Sequence, residues 1–413
     1  MNPCEAALAP RLEQRILPGL ERITEALDAL GHPERRYPAV VVVGTNGKGS
    51  TACLLASVLK AHGVRVGLYT SPHLVRVEER IRVDSRRVAE RTLLDLLARL
   101  RRFPDLSYFE TITAAALLVF AEEQIDLAVL EAGLGGRWDA TNSVRAGIGL
   151  LTNIGTDHQS WLGSARAAIA AEKAAVLRGC AGVIGQWDDE VAPAIVAAAD
   201  RATPLSLASE WASVTPGGET ASPGEVRFRL PALAGQARLS LLGAHQLDNL
   251  RLALAGAAAL AANRLGPRLE AGALRRGLEA VRWPGRLQWL DWQGRALLLD
   301  GAHNREATAA LVAAIAVGVS GPLHLLFSCL DDKPLAEMAR LLLPRVAGVT
   351  VAPLNSPRAT PLSALAAAFP GCEVAGSVEA ALGRLPAELP TLVTGSLRLV
   401  GEVLALTGEE HEC

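Results

Sequence analysis

The segment that most constrains the fold is a wholly apolar run at 40–43, which leads directly into a glycine-rich loop. A short apolar run of this kind is typical of a strand buried on both faces of a parallel sheet. The loop reads GTNGKGST from Gly44, and its glycines let the backbone approach a ligand closely. Backbone N–H groups at a helix start, with the positive end of the helix dipole, favour phosphate. The segment therefore predicts a strand, a phosphate-binding loop and a helix from about Gly49 to His62.

This loop departs from the common G-x-x-x-x-G-K-[ST] pattern. The first glycine of that pattern would fall at Val42, and Gly49 stands where Ser or Thr should follow the lysine. Lys48 can still hold the β- and γ-phosphates as a point charge, while Ser50 or Thr51 supplies a hydroxyl to phosphate or metal. A purely structural turn is the alternative. Three glycines, a lysine and two hydroxyls after a buried strand favour a nucleotide loop.

Strand and helix patterns alternate beyond the loop. Strands are predicted at 64–70, at 126–131 and within 146–158, helices near 88–102 and 111–124, and an earlier helix over 11–30. This alternation predicts an α/β fold: a P-loop nucleotide-binding domain with a doubly wound, mainly parallel sheet. Ligands of such sheets bind beyond the carboxyl ends of the strands. Three polar residues lie at or just past such ends: Ser71, Glu131 and His158.

The pattern changes in the second half of the chain. Residues 200–242 alternate as antiparallel strands do, and an alanine-rich helix is predicted over 245–263. The turn WPGR at 283–286 is a domain boundary, and renewed α/β alternation follows it. We therefore expect a first domain at 1–283 and a smaller, C-terminal Rossmann-like α/β domain at 284–413.

Composition excludes several classes of protein. Lys and Arg total 41 against 43 acidic residues, for a net charge of −2, so no excess of positive charge points to nucleic acid. The apolar runs are shorter than the about 20 residues that span a bilayer, and the N-terminal residues do not resemble a secretory signal. The six cysteines are scattered and predict reduced thiols in a cytoplasmic protein.

Each candidate also has a purely structural interpretation. Glu131 ends a strand where an apolar residue is expected, and a carboxylate there is costly unless paired or metal-bound. Ser71-Pro72 can be a simple turn, and a lone histidine such as His158 is more often structural. Lys173 lies in an alanine-rich helix, where composition alone favours a solvent-exposed lysine. Asp300 follows a predicted strand, and a loop without a ligand is equally compatible with that piece alone.

Taken together, the segments resemble one family, the folylpolyglutamate and dihydrofolate synthases of the Mur-ligase-like amide-bond ligases. The likeness covers residues from roughly 10 to 400 in the family's order, and Gly49 itself is typical of the folate ligases. The matching stretches are GTNGKGST, SPHLVRVEERIRV, LSYFETITAAALLVF, VLEAGLGGRWDATN, TDHQSWLG, AAEKAAVL, PGRLQ, DGAHN and VTGSL.

The resemblance implies an ATP-dependent reaction through an acyl phosphate. Lys48, Glu131, His158 and Lys173 would be catalytic, with magnesium held by Ser71, Glu131 and His158. A carbamylated Lys173 would support a second magnesium ion, and a monovalent cation can take part. The implied ATP-binding residues are Thr45, Asn46, Gly47, Lys48, Gly49, Ser50, Asn249, Arg286, Asp300 and His303.

The family has two activities, which add glutamate to dihydropteroate or lengthen the glutamate tail of reduced folates. The segment SYFE resembles the pterin site of bifunctional members and favours both activities, although Leu17 stands where members often carry Asp. Tail extension alone, a UDP-muramyl ligase, a non-catalytic nucleotide-binding protein and a P-loop kinase are the alternatives. We expect a monomer that binds neither nucleic acid nor membrane. The implied pteroate residues are Ser107, Tyr108, Phe109, Glu110 and Trp138.

Overall fold

The computed structural model describes residues 2–11, 18–156, 163, 165–200, 202–217 and 224–408. The chain divides into two compact units. Among the described residues, the first comprises those up to Ser240 together with Gln246–Arg282, and the second comprises Leu241–His245 and those from Trp283 to Gly408.

An eight-stranded sheet forms the centre of the first unit, in the order β4-β3-β2-β5-β1-β6-β7-β8. Six of its strands run parallel, and the short strands β3 and β4 add antiparallel at one edge. The strands are β1 (Ala39–Val43), β2 (Val66–Tyr69), β3 (Ile81–Val83), β4 (Arg86–Arg87), β5 (Leu127–Glu131), β6 (Ile148–Leu151), β7 (Ala181–Ile184) and β8 (Leu205–Leu207).

A separate three-stranded antiparallel sheet follows in the first unit, as the alternation over 200–242 predicts. Its strands are β9 (Ser213–Pro216), β10 (Glu225–Leu230) and β11 (Leu233–Arg238). The helices up to the second unit are α1 (Pro3–Leu8), α2 (Glu21–Ala29), α3 (Lys48–Ala61), α4 (Glu90–Leu100), α5 (Tyr108–Glu122), α6 (Arg166–Ala174), α7 (Ala192–Ala199), α8 (Ala208–Trp211), α9 (His245–Ala262) and α10 (Ala271–Ala280).

The core of the first unit explains why the opening pattern was informative. All five residues of β1 are buried, as expected of a central strand that pairs with β5 and β6 on either side. Helix α5 is buried along almost its whole length, as its largely apolar sequence from Ala114 to Ala121 predicts.

The prediction of one helix over 11–30 is wrong. Helix α2 begins only at Glu21, after Pro18 and Gly19, and Gly19 has a φ of 115° that a helix does not allow. Residues 12–17 lie outside the described part of the chain. The structure instead places α1 at Pro3–Leu8, where Asn2 accepts backbone hydrogen bonds as the cap and proline takes the first helical position.

The second unit is a smaller α/β domain with a six-stranded sheet in the order β12-β13-β17-β14-β15-β16. Only β12 is antiparallel to its neighbour, so the predicted fold class of two mainly parallel α/β domains is confirmed. No described helix is long and apolar enough to cross a membrane. The elements are β12 (Gln288–Trp292), β13 (Arg295–Leu299), α11 (Arg305–Gly318), β14 (Leu323–Phe327), α12 (Leu335–Leu342), β15 (Val346–Val351), α13 (Leu362–Ala368), β16 (Glu373–Val374), α14 (Val378–Arg384), β17 (Thr391–Thr394) and α15 (Leu397–Thr407).

Candidate active site

The glycine-rich loop connects β1 to α3, and two of its glycines are required by geometry. Gly47 has a φ of 82°, and a Cβ atom there would lie 2.1 Å from Asn249 Oδ1 on α9. Gly44 has a φ of 149°, and a Cβ there would lie 1.8 Å from Thr152 Oγ1. A side chain at either position would therefore meet both backbone strain and a steric clash. The same contact brings Asn249, a predicted ATP ligand, to the loop.

The shape of the loop is fixed by the segment that follows β6. The backbone N–H of Asn46 donates to Asn153 Oδ1 at 3.0 Å, and the side chains of Thr152 and Asn153 both donate to the Asn46 carbonyl. Thr45 Oγ1 accepts from the Gly155 N–H at 2.9 Å. Asn153 is thus a positioning residue that sequence reasoning missed, since the prediction noted this stretch only as the polar end of a strand.

Lys48 is folded over the loop that it follows. Its Nζ donates to the carbonyls of Gly44 and Thr45 at 3.2 and 3.1 Å. Ser50 and Thr51 are buried in the first turn of α3, and Thr51 Oγ1 has no hydrogen-bond partner among the described residues. The loop thus presents a cation and a hydroxyl beside the N-terminus of α3, which suits a polyphosphate.

Glu131 and Ser71 meet at the carboxyl end of the central strands. The Ser71 backbone N–H donates to Glu131 Oε2 at 2.9 Å, and Glu131 is only 5% exposed. Glu131 is paired in register with Val42, so its carboxylate lies at the end of the strand next to the one that feeds the loop. The interruption of the apolar pattern at 131 therefore marks a buried carboxylate at the expected edge of the sheet.

The segment after Ser71 is held by another carboxylate. Glu79 accepts hydrogen bonds from the backbone N–H groups of Leu74, Val75 and Arg76, at 2.8, 3.1 and 2.8 Å. One side chain thereby fixes three consecutive peptide groups between β2 and β3.

Lys173 reaches the same loop from α6. It is 4% exposed, and its Nζ donates to the Gly44 carbonyl at 2.8 Å. The solvent-exposed interpretation is therefore wrong. Close packing makes this placement possible, because a Cβ at Gly136 would lie 2.7 Å from the Glu172 carbonyl. A glycine in the turn after Glu131 thus lets that turn pack directly on the helix that carries Lys173.

Asp139 organises that turn and was not predicted as a site residue. Its carboxylate accepts the backbone N–H groups of Gly133 and Leu134 at 2.9 Å each, and the N–H and hydroxyl of Thr141. Burial raises the pKa of Asp139, and these hydrogen bonds act against the rise. Asp139 thus fixes the conformation of the turn that follows Glu131, by joining its start at Gly133 and Leu134 to its end at Thr141.

The predicted pteroate segment forms the start of α5. Ser107 caps the helix, and Glu110 closes the capping box and forms an ion pair with Arg22 at 3.0 Å. These two side chains therefore have structural partners. The Tyr108 ring lies under the Arg80 guanidinium, with 5.3 Å between that group and the ring centroid.

Phe109 and Trp138 adjoin the turn after Glu131 in different ways. A Cβ at Gly133 would lie 2.6 Å from the Phe109 ring, so this ring is packed against the turn. Trp138 lies on the turn itself and is 50% exposed. An exposed aromatic ring on this turn is a suitable surface for a planar ligand.

His73 holds Arg80, the residue whose guanidinium lies over the Tyr108 ring. Arg80 Nε donates to His73 Nδ1 at 2.9 Å, and His73 Nε2 lies 3.3 Å from Glu5 Oε1 on α1. The neutral Nε2–H tautomer satisfies both contacts. Burial lowers the pKa of His73, the Arg80 charge lowers it further, and Glu5 acts against both.

In the second unit, the predicted ATP residues lie together at the end of β13. Asp300 accepts from the backbone N–H groups of Leu287 and Ala302 at 3.0 and 2.9 Å. Burial raises its pKa, while Arg286 and His245 act in the opposite direction. A Cβ at Gly301 would lie 2.8 Å from Arg286 Nη1, and His303 Nδ1 lies 2.8 Å from the Gly301 carbonyl. Arg286, Asp300 and His303 therefore form one cluster.

Two residues of the sequence predictions, His158 and Leu17, lie outside the described residues. Within the described ranges, no group of three His, Cys, Asp or Glu side chains surrounds a metal-sized space. Of the predicted magnesium ligands, the structure brings together Ser71 and Glu131.

Similarity to known proteins agrees with this arrangement. Residues 42–257 match the Mur ligase middle domain, and residues 285–391 match the Mur ligase, glutamate ligase domain. A Haloferax volcanii protein named as a probable bifunctional folylpolyglutamate synthase/dihydropteroate synthase is 34% identical over 94% of this chain, which spans 48% of that protein's length. The dihydrofolate synthase/folylpolyglutamate synthase of Escherichia coli is 34% identical, over 94% of this chain and 90% of that protein.

A solved structure extends the likeness to the whole fold. It is the bifunctional folylpolyglutamate synthase/dihydrofolate synthase of Yersinia pestis complexed with AMPPNP and Mn ion, with a TM-score of 0.85, 30% identity and coverage of 98% of both chains. The predicted resemblance is confirmed. The chain therefore belongs to the dihydrofolate synthase/folylpolyglutamate synthase family of ATP-dependent ligases with the Mur-ligase fold.

Proposed function

We propose that this enzyme joins L-glutamate to dihydropteroate and also extends the glutamate tail of reduced folates. The observation that carries the proposal is the convergence of Lys48 and Lys173 on the Gly44 carbonyl, beside the strand that ends in Glu131. A phosphate loop with a buried carboxylate next to it suits transfer of a phosphoryl group to a carboxylate. The E. coli relative carries both activities in its name.

The reaction follows from the weakness of a carboxylate as an electrophile. A carboxylate oxygen of the folate substrate attacks the γ-phosphorus of ATP, and ADP leaves with the electron pair of the broken bond. The glutamate amine then attacks the acyl carbon, phosphate leaves, and the nitrogen loses a proton. Lys48 and the N-terminal N–H groups of α3 stabilise the charge on the phosphates during the first step.

Residues of the first unit also suit a divalent metal. Glu131 and Ser71 supply oxygen atoms at the end of β5, Thr51 Oγ1 has no partner within the described chain, and hard cations prefer oxygen ligands. We propose that Ser71, Glu131 and His158 hold Mg²⁺. When bound, the ion neutralises phosphate charge and orients the transferring group.

Lys173 is proposed to act as a carbamate. The side chain is 4% exposed and is held at the loop by the Gly44 carbonyl, and a carbamate can keep one N–H for that carbonyl while adding a carboxylate. That carboxylate would support a second Mg²⁺ ion.

We assign the remaining residues by unit. The proposed division is 1–283 for ATP and pteroate binding and 284–413 for the glutamate-ligase domain. Arg286, Asp300 and His303 are proposed to contact ATP, because the cluster combines a cation, a carboxylate and an imidazole at a strand end. In the first unit, Asn249 joins Thr45–Ser50 in ATP binding.

Bifunctionality is proposed from the pteroate segment. Phe109 and Trp138 place aromatic surface beside the turn after Glu131, and Tyr108 is stacked under Arg80. Ser107 and Glu110 shape this segment through the helix cap. We further propose a monomeric enzyme that acts in the cytoplasm without nucleic acid or membrane partners, which gel filtration and nucleic-acid binding assays can test.

The deciding experiment compares acceptors. The enzyme is incubated with ATP, Mg²⁺ and L-glutamate, together with dihydropteroate, tetrahydrofolate or a UDP-muramyl acceptor, and ADP and products are quantified. We expect glutamylated product from the first two. Product from tetrahydrofolate alone would restrict the enzyme to tail extension, and turnover with none of the pteroate or folate acceptors would overturn the proposal.

A further inference from the structure

A cavity of about 290 Å³ lies in the first unit, away from all residues proposed for ATP, metal or pteroate. Its lining comes from α3 between Cys53 and Ala61, from β2 and β3 and from the end of α10. The buried part of the lining is mostly apolar and includes Cys53, Ala56, Val66 and Leu68. This volume is near the lower end for small-molecule sites, and an apolar lining with a few polar groups is typical of them.

Arg82 is the polar group that points to a ligand. It lines the cavity from β3 and is only 3% exposed. Its Nη1 reaches the Ser85 carbonyl at 3.4 Å, and its buried Nε has no hydrogen-bond partner in the part of the chain that the structure describes. A guanidinium is always charged, so leaving a buried N–H unsatisfied is costly. An oxyanion in the cavity would remove that cost.

The charge of the lining also favours an anion. Lys60, Arg276 and Arg282 join Arg82, against the single acid Asp84. Helices α3 and α10 both end here, and each C-terminus contributes roughly half a negative charge. The four cationic side chains outweigh the carboxylate and the two helix ends, so the lining keeps a net charge of about +2.

The cavity is separate from the phosphate loop. Cys53 and Lys60 follow Lys48 on α3 by five and twelve residues, which places them about 8 and 18 Å further along the helix axis. An occupant would therefore contact the helix that begins at the loop without contacting the loop.

We propose that this cavity is a second ligand site, which binds a small organic oxyanion. The phosphate or carboxylate head pairs with Arg82, where a planar fork of N–H donors suits two acceptor oxygens. The apolar part of the ligand lies against Ala56 and Leu68, and Arg276 contributes charge at the exposed rim.

Calorimetric titration of the full-length enzyme tests the site. The enzyme is first saturated with ADP and Mg²⁺ so that the phosphate loop is filled, and phenyl phosphate, phenylacetate and inorganic phosphate are then added separately. We expect one-to-one binding of phenyl phosphate or phenylacetate with a Kd below about 1 mM, and the tighter of the two identifies the preferred head group. Absence of binding by all three probes at about 10 mM overturns the proposal.

Matched variants locate the binding. Arg82→Met should weaken binding by about 10-fold or more, because it removes a charged hydrogen-bond donor. Arg91→Met, at an exposed arginine on α4, is the control and should leave the affinity unchanged. Arg276→Glu reverses a charge at the rim without touching the core, and should weaken binding by at least about threefold even if Arg82→Met does not fold. Unchanged affinity in Arg82→Met, or in Arg276→Glu, overturns the assignment.

Discussion

The side-chain nitrogen of Lys173 donates a 2.8 Å hydrogen bond to the carbonyl oxygen of Gly44, 129 positions earlier in the chain. The contact joins α6 to the first residue of the phosphate loop. Any chemical change at Lys173 is therefore made directly beside the loop that we propose to bind ATP.

Replacement of Lys173 by alanine should lower turnover by about 100-fold or more, since it removes both the contact to the loop and the proposed carbamate. We expect acetate or formate to restore part of the activity, because a free carboxylate can occupy the vacated space. Turnover numbers with and without these anions provide the measurement. Full activity of Lys173→Ala would remove the residue from the catalytic group.

Glu131→Gln should remove the carboxylate charge while keeping the hydrogen bond that the side chain accepts. The amide oxygen can still accept the Ser71 N–H, so the free energy of unfolding should change little, while turnover should fall at least about 100-fold through loss of the carboxylate. Glu122→Gln, at an exposed glutamate on α5 paired with Arg99, is the matched control and should retain activity. An active Glu131→Gln enzyme with unchanged Mg²⁺ dependence would contradict the metal assignment.

Gly47→Ala should destabilise the first unit by about 2–4 kcal/mol, through its left-handed backbone and the clash with Asn249 Oδ1. Asn249→Ala alone loses the buried hydrogen bond to Gln246 Oε1. Relative to that variant, the double variant has no clash and should show only the backbone cost of Gly47→Ala, about 1–2 kcal/mol. Urea unfolding of the single and double variants measures the coupling. Strictly additive effects would mean that the two side chains do not meet.

Trp138→Ala should raise the KM for dihydropteroate about 10-fold, while kcat stays within about twofold, because the ring is proposed to contact the pteroate. Its stability should change by no more than about 0.5 kcal/mol, since the side chain is half exposed. Trp187→Ala, at another exposed tryptophan, serves as the control. Equal KM values in both variants would exclude the pteroate contact.

Acidification should destabilise the wild type through His73. Its pKa is lowered from 6.5 in the folded protein, so below that pH the unfolded chain takes up a proton that the folded chain resists. This histidine therefore lowers the free energy of unfolding as the pH falls below 6.5, and the loss ends at the folded pKa. The urea midpoint of each protein is measured at about pH 7.5 and 5.5. The difference between the two midpoints should be smaller in His73→Gln than in the wild type. Identical pH dependence in both proteins would rule out this role.

Local patterns were enough to predict β1, its glycine loop and the start of α3. The apolar run indicates a buried strand, and the glycines, lysine and hydroxyl residues that follow it directly indicate the loop. Glu131 was also predictable, as a charge that interrupts an apolar strand. The burial of Lys173 was not, since its alanine-rich helix gives no local sign of which face meets the loop.

The roles of Asn153 and Asp139 could not be predicted either, because they too depend on tertiary packing. Asn153 and Asp139 act through backbone groups in turns whose shape depends on tertiary packing. The helix predicted over 11–30 failed because Leu and Ile periodicity outweighed Pro18 and Gly19, which break helices. Asn2-Pro3 was a usable signal for α1, as a cap residue followed by proline is typical of a helix start.

The three peptide groups held by Glu79 have a consequence for ligand affinity. Residues 74–76 lose their conformational entropy when the protein folds, at about 1–2 kcal/mol per residue. A substrate that reaches Ser71 consequently meets a chain segment that is already ordered, and little of its interaction energy is consumed in immobilising that segment.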